Sequence, residues 1–255
     1  MTHDLFDLAG RTALVTGGDR GLGFAMASAL SRYGARVVLV ARDRERLDAA
    51  AERLQPESTA EVAVRAADLA DRAAIGDLVS EVQATIAPVD ILLADAGVSE
   101  PQPVGHISDD AWDRTLAVNL TAAMACTRAV APGMSARGWG RIIFISSTFG
   151  EVSMPGRAAY SASKSALRGL ARGAALDLGS AGVTVNCIAP GPFLTEMTDR
   201  VVGDEGARRR FSDMTALGRW GDPSELAGPV LLLASDAGSY ITGTTLFIDG
   251  GYTAR

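Results

Sequence analysis

A chain of 255 residues with 47% hydrophobic content can bury one sizeable core, and a formal charge of −6 argues against nucleic acid as the main partner, since duplex binding shows a basic face. Apolar runs such as Ile142 to Ile145 and Val230 to Ala234 are far too short to span a bilayer, and the polar start Met1 to Asp7 lacks an apolar signal region, so no membrane partner and a cytoplasmic location are expected. Cys126 and Cys187 are too few for a disulfide framework, and two histidines without a Cys/His cluster offer no metal site, which leaves a small molecule as the expected ligand.

Taken in chain order, Thr12 to Thr16 reads as a strand that runs through a glycine-rich turn into a helix from Leu22 to Tyr33. The alternation then continues. Strands are predicted at Arg36 to Val40, Glu61 to Arg65 and Asp90 to Leu93, with helices at Arg44 to Leu54, Arg72 to Ile86 and Asp109 to Ala136 between and after them. The next pair is a strand from Arg141 to Ser146 and a helix from Ala158 to Leu178. Val183 to Ile188 is the sixth strand, Pro223 to Ala234 the last helix and Thr244 to Ile248 the seventh strand. Strand followed by helix, repeated, implies right-handed crossovers and a parallel sheet covered on both faces. The expected fold is therefore α/β: one domain over residues 1–255, a Rossmann fold with a doubly wound, seven-stranded parallel sheet and helices on both faces. The irregular stretch 190–215 is long for a compact domain and is expected to be a substrate loop with some helix of its own. Trp112, Met124 and Phe144 read as core, and both cysteines as small apolar packing groups.

In such sheets ligands bind beyond the carboxyl ends of the strands, so residues that just follow strands carry the chemistry. After the first strand, Thr16-Gly17-Gly18-Asp19-Arg20-Gly21-Leu22-Gly23 has the glycines a tight turn needs if a pyrophosphate is to reach a helix N-terminus. Tyr160 and Lys164, in Tyr160-Ser161-Ala162-Ser163-Lys164, are four apart in a helical stretch and project from one face. Lys164 is the single lysine among 24 basic residues, which marks a place where a guanidinium will not serve. A compact ammonium favours the ionised form of a neighbouring phenol and can donate to ribose hydroxyls, whereas a planar fork is bulkier and differently directed. Ser147, thirteen positions before Tyr160 at the end of a strand, supplies a hydroxyl that can donate to a substrate oxygen.

With these motifs in this order, together with Asn119 in Val118-Asn119-Leu120 and Pro190-Gly191 after the sixth strand, the sequence resembles the short-chain dehydrogenase/reductase family from end to end. The resemblance implies roles. Tyr160 would be the acid in ketone reduction and the base in alcohol oxidation, Lys164 would hold the nicotinamide ribose, Ser147 would polarise the carbonyl, and Asn119 would position a water in a proton relay. Asp68 and Leu69 would lie against the adenine, while Pro190, Gly191, Phe193 and Thr195 would lie on the nicotinamide side. Gly17, Asp19, Arg20, Gly21, Leu22 and Gly23 would cradle the phosphates, and Ala96 and Gly97 would let the backbone come close. One departure stands out: Ala94-Asp95-Ala96-Gly97 carries a carboxylate where the family usually has an amide, so an ionised Asp95 can only accept. Lowered cofactor affinity, a weakened sheet or a protonated Asp95 are the possible consequences.

The second strand ends at Ala41 followed by Arg42, where users of NAD in this family commonly have an acid. Arg20 and Arg42 without a carboxylate favour NADP(H) over NAD(H), through charge-assisted bonds to a 2′-phosphate. Both ends of the chain and the glycine-rich helix resemble gluconate 5-dehydrogenases, which implies a secondary alcohol or ketone on a small polyol, sugar acid or keto-acid, and a homotetramer. A 3-oxoacyl-carrier-protein reductase or a general carbonyl reductase is the alternative. Pro132 and Ala181 stand where the carrier-protein reductases tend to have arginines. A dinucleotide sensor without turnover is a further alternative, but it would need no proton donor at Tyr160. Arg208-Arg209-Arg210 and His106 read as solvated surface groups, either of which could also face the pocket mouth.

Overall fold

Apolar runs of four to eight residues are too short for helices of any stability and are covered on both sides when they pair in parallel. The computed structural model, which describes residues 4–198 and 203–254, forms them into β1 (Thr12–Thr16), β2 (Arg36–Ala41), β3 (Val62–Ala66), β4 (Ile91–Ala94), β5 (Gly140–Ile145), β6 (Val183–Pro190) and β7 (Thr245–Ile248). Every neighbouring pair is parallel, in the order β3-β2-β1-β4-β5-β6-β7. The order reverses between β1 and β4, and that is where an open parallel sheet forms its crevice.

Successive strand residues face opposite ways, so each strand feeds two cores. Leu14, Val38, Leu92, Ile142 and Phe144 pack with α3 (Arg72–Thr85), α5 (Ala122–Arg137) and α6 (Ala158–Leu178). Val15, Val37, Leu93 and Ile143 pack on the other face with α1 (Gly21–Arg32), α2 (Arg44–Leu54) and the helix Ala227–Ala234. Side chains cap the helix starts: Asp43 accepts from Arg46 N–H, Asp71 from Ala73 and Ala74 N–H, and Ser108 from Ala111 N–H.

The long helix expected from Asp109 to Ala136 is unbroken but is not α throughout. It is α4 (Asp109–Leu116), then a π turn over Ala117–Thr121, then α5. Such wide turns mark functional places in helices, and this one carries the buried Asn119. Trp112 and Met124 are not core: Trp112 is 38% exposed and Met124 half-buried, while Phe144 is fully buried. On α4 the buried residues are Ala111 and Thr115, and Trp112, one step round the helix, turns towards solvent. The last helix begins as a 3₁₀ turn, Pro223–Leu226, under a capping box formed by Asp222 and Glu225. β5 stops at Ile145, so Ser146 and Ser147 lie just past its end. Within the stretch 190–215 the chain forms a 3₁₀ turn at Glu196–Thr198 and a helix at Glu205–Asp213, and positions 199–202 lie outside the described residues. No helix among the described residues is long and apolar enough to cross a membrane.

Candidate active site

The carboxyl ends of the strands open into a cavity of about 1020 Å³. Of the residues singled out in the sequence for catalysis and cofactor binding, all but Gly23 and Asn119 line it. Those two stand directly behind its wall.

At β1, the turn into α1 closes against the loop after β4. Gly17 has φ +69°, a region closed to most side chains, and a Cβ there would come within 3.0 Å of the Ala96 backbone. At Gly23 a Cβ would lie 2.3 Å from Gly17 O and 2.6 Å from Asp95 Oδ2, so only glycine fits. Thr16 Oγ1 accepts from Ala96 N–H at 3.2 Å and ties the two loops together. α1 starts without a side-chain cap and without an acid in its first turn; Gly23 N–H is directed at Asp95, and the N–H groups of Gly21 and Leu22 are left for an anion. A dinucleotide pyrophosphate fits that turn.

Arg20 and Arg42 stand on the same side of the cavity, but differently. The Arg20 guanidinium donates to Glu196 Oε2 at 3.0 Å, across to the 3₁₀ turn after β6. Arg42 has no ion pair among the described residues. Asp68 Oδ1 accepts from Ala70 N–H at 3.0 Å and fixes the turn in which Leu69 is nearly buried. On the opposite side Gly191 N–H donates to Ile248 O at 3.0 Å, Phe193 packs over Gly221, and Thr195 is held by Thr198.

Asp95 sits between these halves. Burial pushes its carboxyl up to about 6, against the pull of the Lys164 ammonium and the Gly23 N–H, while the nearby Asp19 adds to the rise. This is the physical consequence of a carboxylate rather than an amide at this position.

Around β5 and α6 the reacting groups converge. Lys164 is buried and donates from Nζ to Ile145 O at 2.7 Å, which leaves two of its three protons for a ligand. Its Nζ lies 5.6 Å from the centre of the Tyr160 ring, which also meets Phe149 edge-on at 6.4 Å. Ser147 Oγ accepts from Phe149 N–H at 3.1 Å, so the hydroxyl's own proton remains free to donate. Asn119 is spent on the wall: Oδ1 accepts from Val98 N–H at 2.8 Å, and Nδ2 donates to Val98 O and to Ser163 Oγ, each at 3.0 Å. Its side chain therefore braces the loop after β4 and the first turns of α6 and does not face the cavity. Gly97 passes between them, and a Cβ there would be 3.5 Å from both Asn119 Oδ1 and Lys164 Nζ.

Arg157 and Glu196 are among the lining residues that escaped the sequence reading. Arg157 stands at the start of α6 and donates to Ser99 Oγ at 2.5 Å. Its spacing of three before Tyr160 was the available signal. Glu196 had none, since its partner Arg20 is 176 positions away. His106 is exposed in a 3₁₀ turn at Val104–His106, and Arg208, Arg209 and Arg210 are exposed on their helix; none lines the cavity. Cys126 and Cys187 are buried, and burial pushes both thiols up to about 12, which leaves them packing groups.

The chain is similar to known proteins over nearly its whole length. A family model described as enoyl-(acyl carrier protein) reductase matches residues 17–253. The chain is 40% identical over 254 residues to a gluconate 5-dehydrogenase of Gluconobacter oxydans (strain 621H), covering 99% of each, and 36% identical to a 5-keto-D-gluconate 5-reductase of Escherichia coli (strain K12), covering 98% of each. Among solved structures, a gluconate 5-dehydrogenase from Burkholderia cenocepacia J2315 in complex with NADP and tartrate superimposes with a TM-score of 0.93 at 37% identity, over 99% of this chain and 98% of that one.

Proposed function

The chain belongs to the short-chain dehydrogenase/reductase family and is an oxidoreductase, and from that premise we propose that it uses NADP(H) to interconvert a secondary alcohol and a ketone on a small polyol, sugar acid or keto-acid. The observation that carries this reading is the convergence of Ser147, Tyr160 and Lys164 on one end of a cavity that has Arg42, without an ion pair among the described residues, in its wall. A nicotinamide dinucleotide, when bound, donates or accepts the hydride. The uncapped start of α1 and the glycine turn hold its pyrophosphate, and Arg42 takes the 2′-phosphate in a charge-assisted bond that NADH cannot form. Ser147, its acceptor side tied to Phe149, donates a hydrogen bond to the substrate oxygen and polarises the carbonyl. Tyr160 gives that oxygen a proton in reduction and removes it in oxidation. Lys164, anchored on Ile145 O, keeps a positive charge under the phenol ring and donates to ribose hydroxyls.

The relatives above are named for gluconate chemistry, and one was solved with tartrate, itself a hydroxy acid. Uncharged Pro132 and Ala181 weigh against an acidic carrier protein as the substrate's bearer. The same reading includes a homotetramer working in the cytoplasm. The test is nicotinamide absorbance with NADPH and NADH against a panel of sugar acids, polyols and ketones. Turnover of 5-keto-D-gluconate or a related small ketone with NADPH is expected. Turnover only of acyl thioesters would favour the carrier-protein alternative, and tight NADPH binding with no turnover of any carbonyl would favour a sensor.

A further inference from the structure

Four arginines line the cavity, and they divide into two kinds. Arg20 pairs with Glu196 and Arg46 with Asp43, whereas Arg42 and Arg157 have no carboxylate partner among the described residues. Arg42 lies at the end of β2, on the far side of the crevice from the reacting groups. Arg157 is the cation at the other end. It is only half-exposed, it precedes Tyr160 by three residues at the start of α6, and its one side-chain hydrogen bond among the described residues is to the neutral hydroxyl of Ser99 in the loop after β4. The acid nearest in sequence, Glu151, pairs with Arg168, and Glu100, next to Ser99, faces Arg114 at 3.8 Å. A partly desolvated guanidinium held beside a neutral partner is a standing site for an anion.

We propose that Arg157, seated by Ser99, recognises the carboxylate of the substrate, so that this enzyme selects sugar acids over neutral polyols. The proposal rests on the function argued above and narrows its substrate class. Arg157 is the N-cap residue of α6, three positions and about 4.5 Å of helix rise before Tyr160, and both side chains line the same cavity. A hydroxy-acid chain spans that interval, with its carboxylate at Arg157 and its reacting carbon near Ser147 and Tyr160. The planar fork gives two parallel bonds to a carboxylate and nothing comparable to a hydroxyl. Because this end of the substrate is remote from the bond that changes, most of the effect belongs in KM.

The experiment compares D-gluconate and D-sorbitol oxidation with NADP⁺ in the wild type, Arg157→Gln and Arg157→Lys. Glutamine can still donate to Ser99, and an unchanged NADPH dissociation constant checks that the fold persists. We expect kcat/KM for gluconate to fall roughly ten- to a hundredfold in Arg157→Gln, mostly through KM, with sorbitol turnover unchanged and Arg157→Lys in between. The wild-type KM for gluconate should also rise with ionic strength while that for sorbitol stays flat, a readout that needs no variant. Equal losses on both substrates, or none on gluconate, overturn the assignment of Arg157. A wild type that prefers sorbitol overturns it too, yet leaves alcohol oxidation standing. Failure to oxidise either, with no reduction of their ketones, overturns the parent reading as well.

Discussion

Tyr160, Lys164 and Asp95 show how much of a site a single side chain decides. Replacing Tyr160 with phenylalanine keeps the ring against Phe149 but removes the proton, so cofactor binding should persist while kcat falls by about 10²–10⁴. Steady-state turnover with a separate NADPH titration checks this, and retention of a tenth of kcat would refute the role. Lys164→Arg should be nearly as damaging despite conserved charge, because the guanidinium cannot enter the buried space in which Nζ donates to Ile145 O. Asp95 makes a prediction with a sign. Its folded pKa of about 6 lies above the ordinary 3.8, so the proton is bound more tightly in the folded state. Stability from this group is therefore complete below about 3.8 and lost as pH rises through about 6. Asp95→Asn should raise Tm at pH 8 by an amount corresponding to roughly 2–3 kcal/mol, and the advantage should shrink between pH 6 and pH 4. Melting curves of both proteins across that range settle it; an advantage that does not vary with pH would mean that the amide's extra donor matters and the charge does not.

At the scale of elements, the strands and most helices were legible because hydrophobic period is a local property, whereas the junctions were not. The pattern from Asp109 to Ala136 is helical throughout, and nothing in it distinguishes a π turn at Ala117–Thr121 from one more α turn. What selects the wider turn is tertiary: Asn119 must reach Val98 in the loop after β4 and Ser163 on α6 at once. Glu196 is the same lesson across a longer distance. Read from sequence alone, Arg20 and Arg42 were equal candidates for the 2′-phosphate, but the 3₁₀ turn after β6 brings Glu196 to Arg20 and leaves Arg42 the larger share. Arg42→Ala should thus weaken NADPH roughly ten- to a hundredfold while sparing NADH. Glu196→Gln, by freeing Arg20, should tighten NADPH by up to about fivefold, the size expected of a mostly exposed pair. Dissociation constants for both cofactors in the two variants test the division of labour. If Glu196→Gln weakens NADPH, the ion pair's main service is to hold the 3₁₀ turn beside the cofactor.

For the whole molecule, the alternation of strands and helices was enough to fix a doubly wound sheet, since parallel pairing and right-handed crossovers leave few other arrangements. Surface is less legible than core, as Trp112 shows: a tryptophan in an amphipathic pattern reads as buried until its neighbours Ala111 and Thr115 are seen to take the inner face. In the proposed homotetramer its exposure would have a use. Trp112 on α4 and Leu176 on α6, 38% and 86% exposed, are apolar surface on two helices that pack together, and association between copies would cover them. α6 also carries Tyr160 and Lys164 in its first turns, so whatever steadies that helix steadies the reacting groups. The proposed homotetramer then makes two linked predictions. Light scattering should give about four times the chain mass of 26.4 kDa, and Leu176→Glu, which sets a charge into the covered surface, should lower that mass. Because assembly stabilises by mass action, the variant should also lose activity on dilution at concentrations where the wild type keeps it. A wild type that runs as a fully active monomer would refute the assembly, and a tetrameric Leu176→Glu with unchanged activity would move the interface to another face of the molecule.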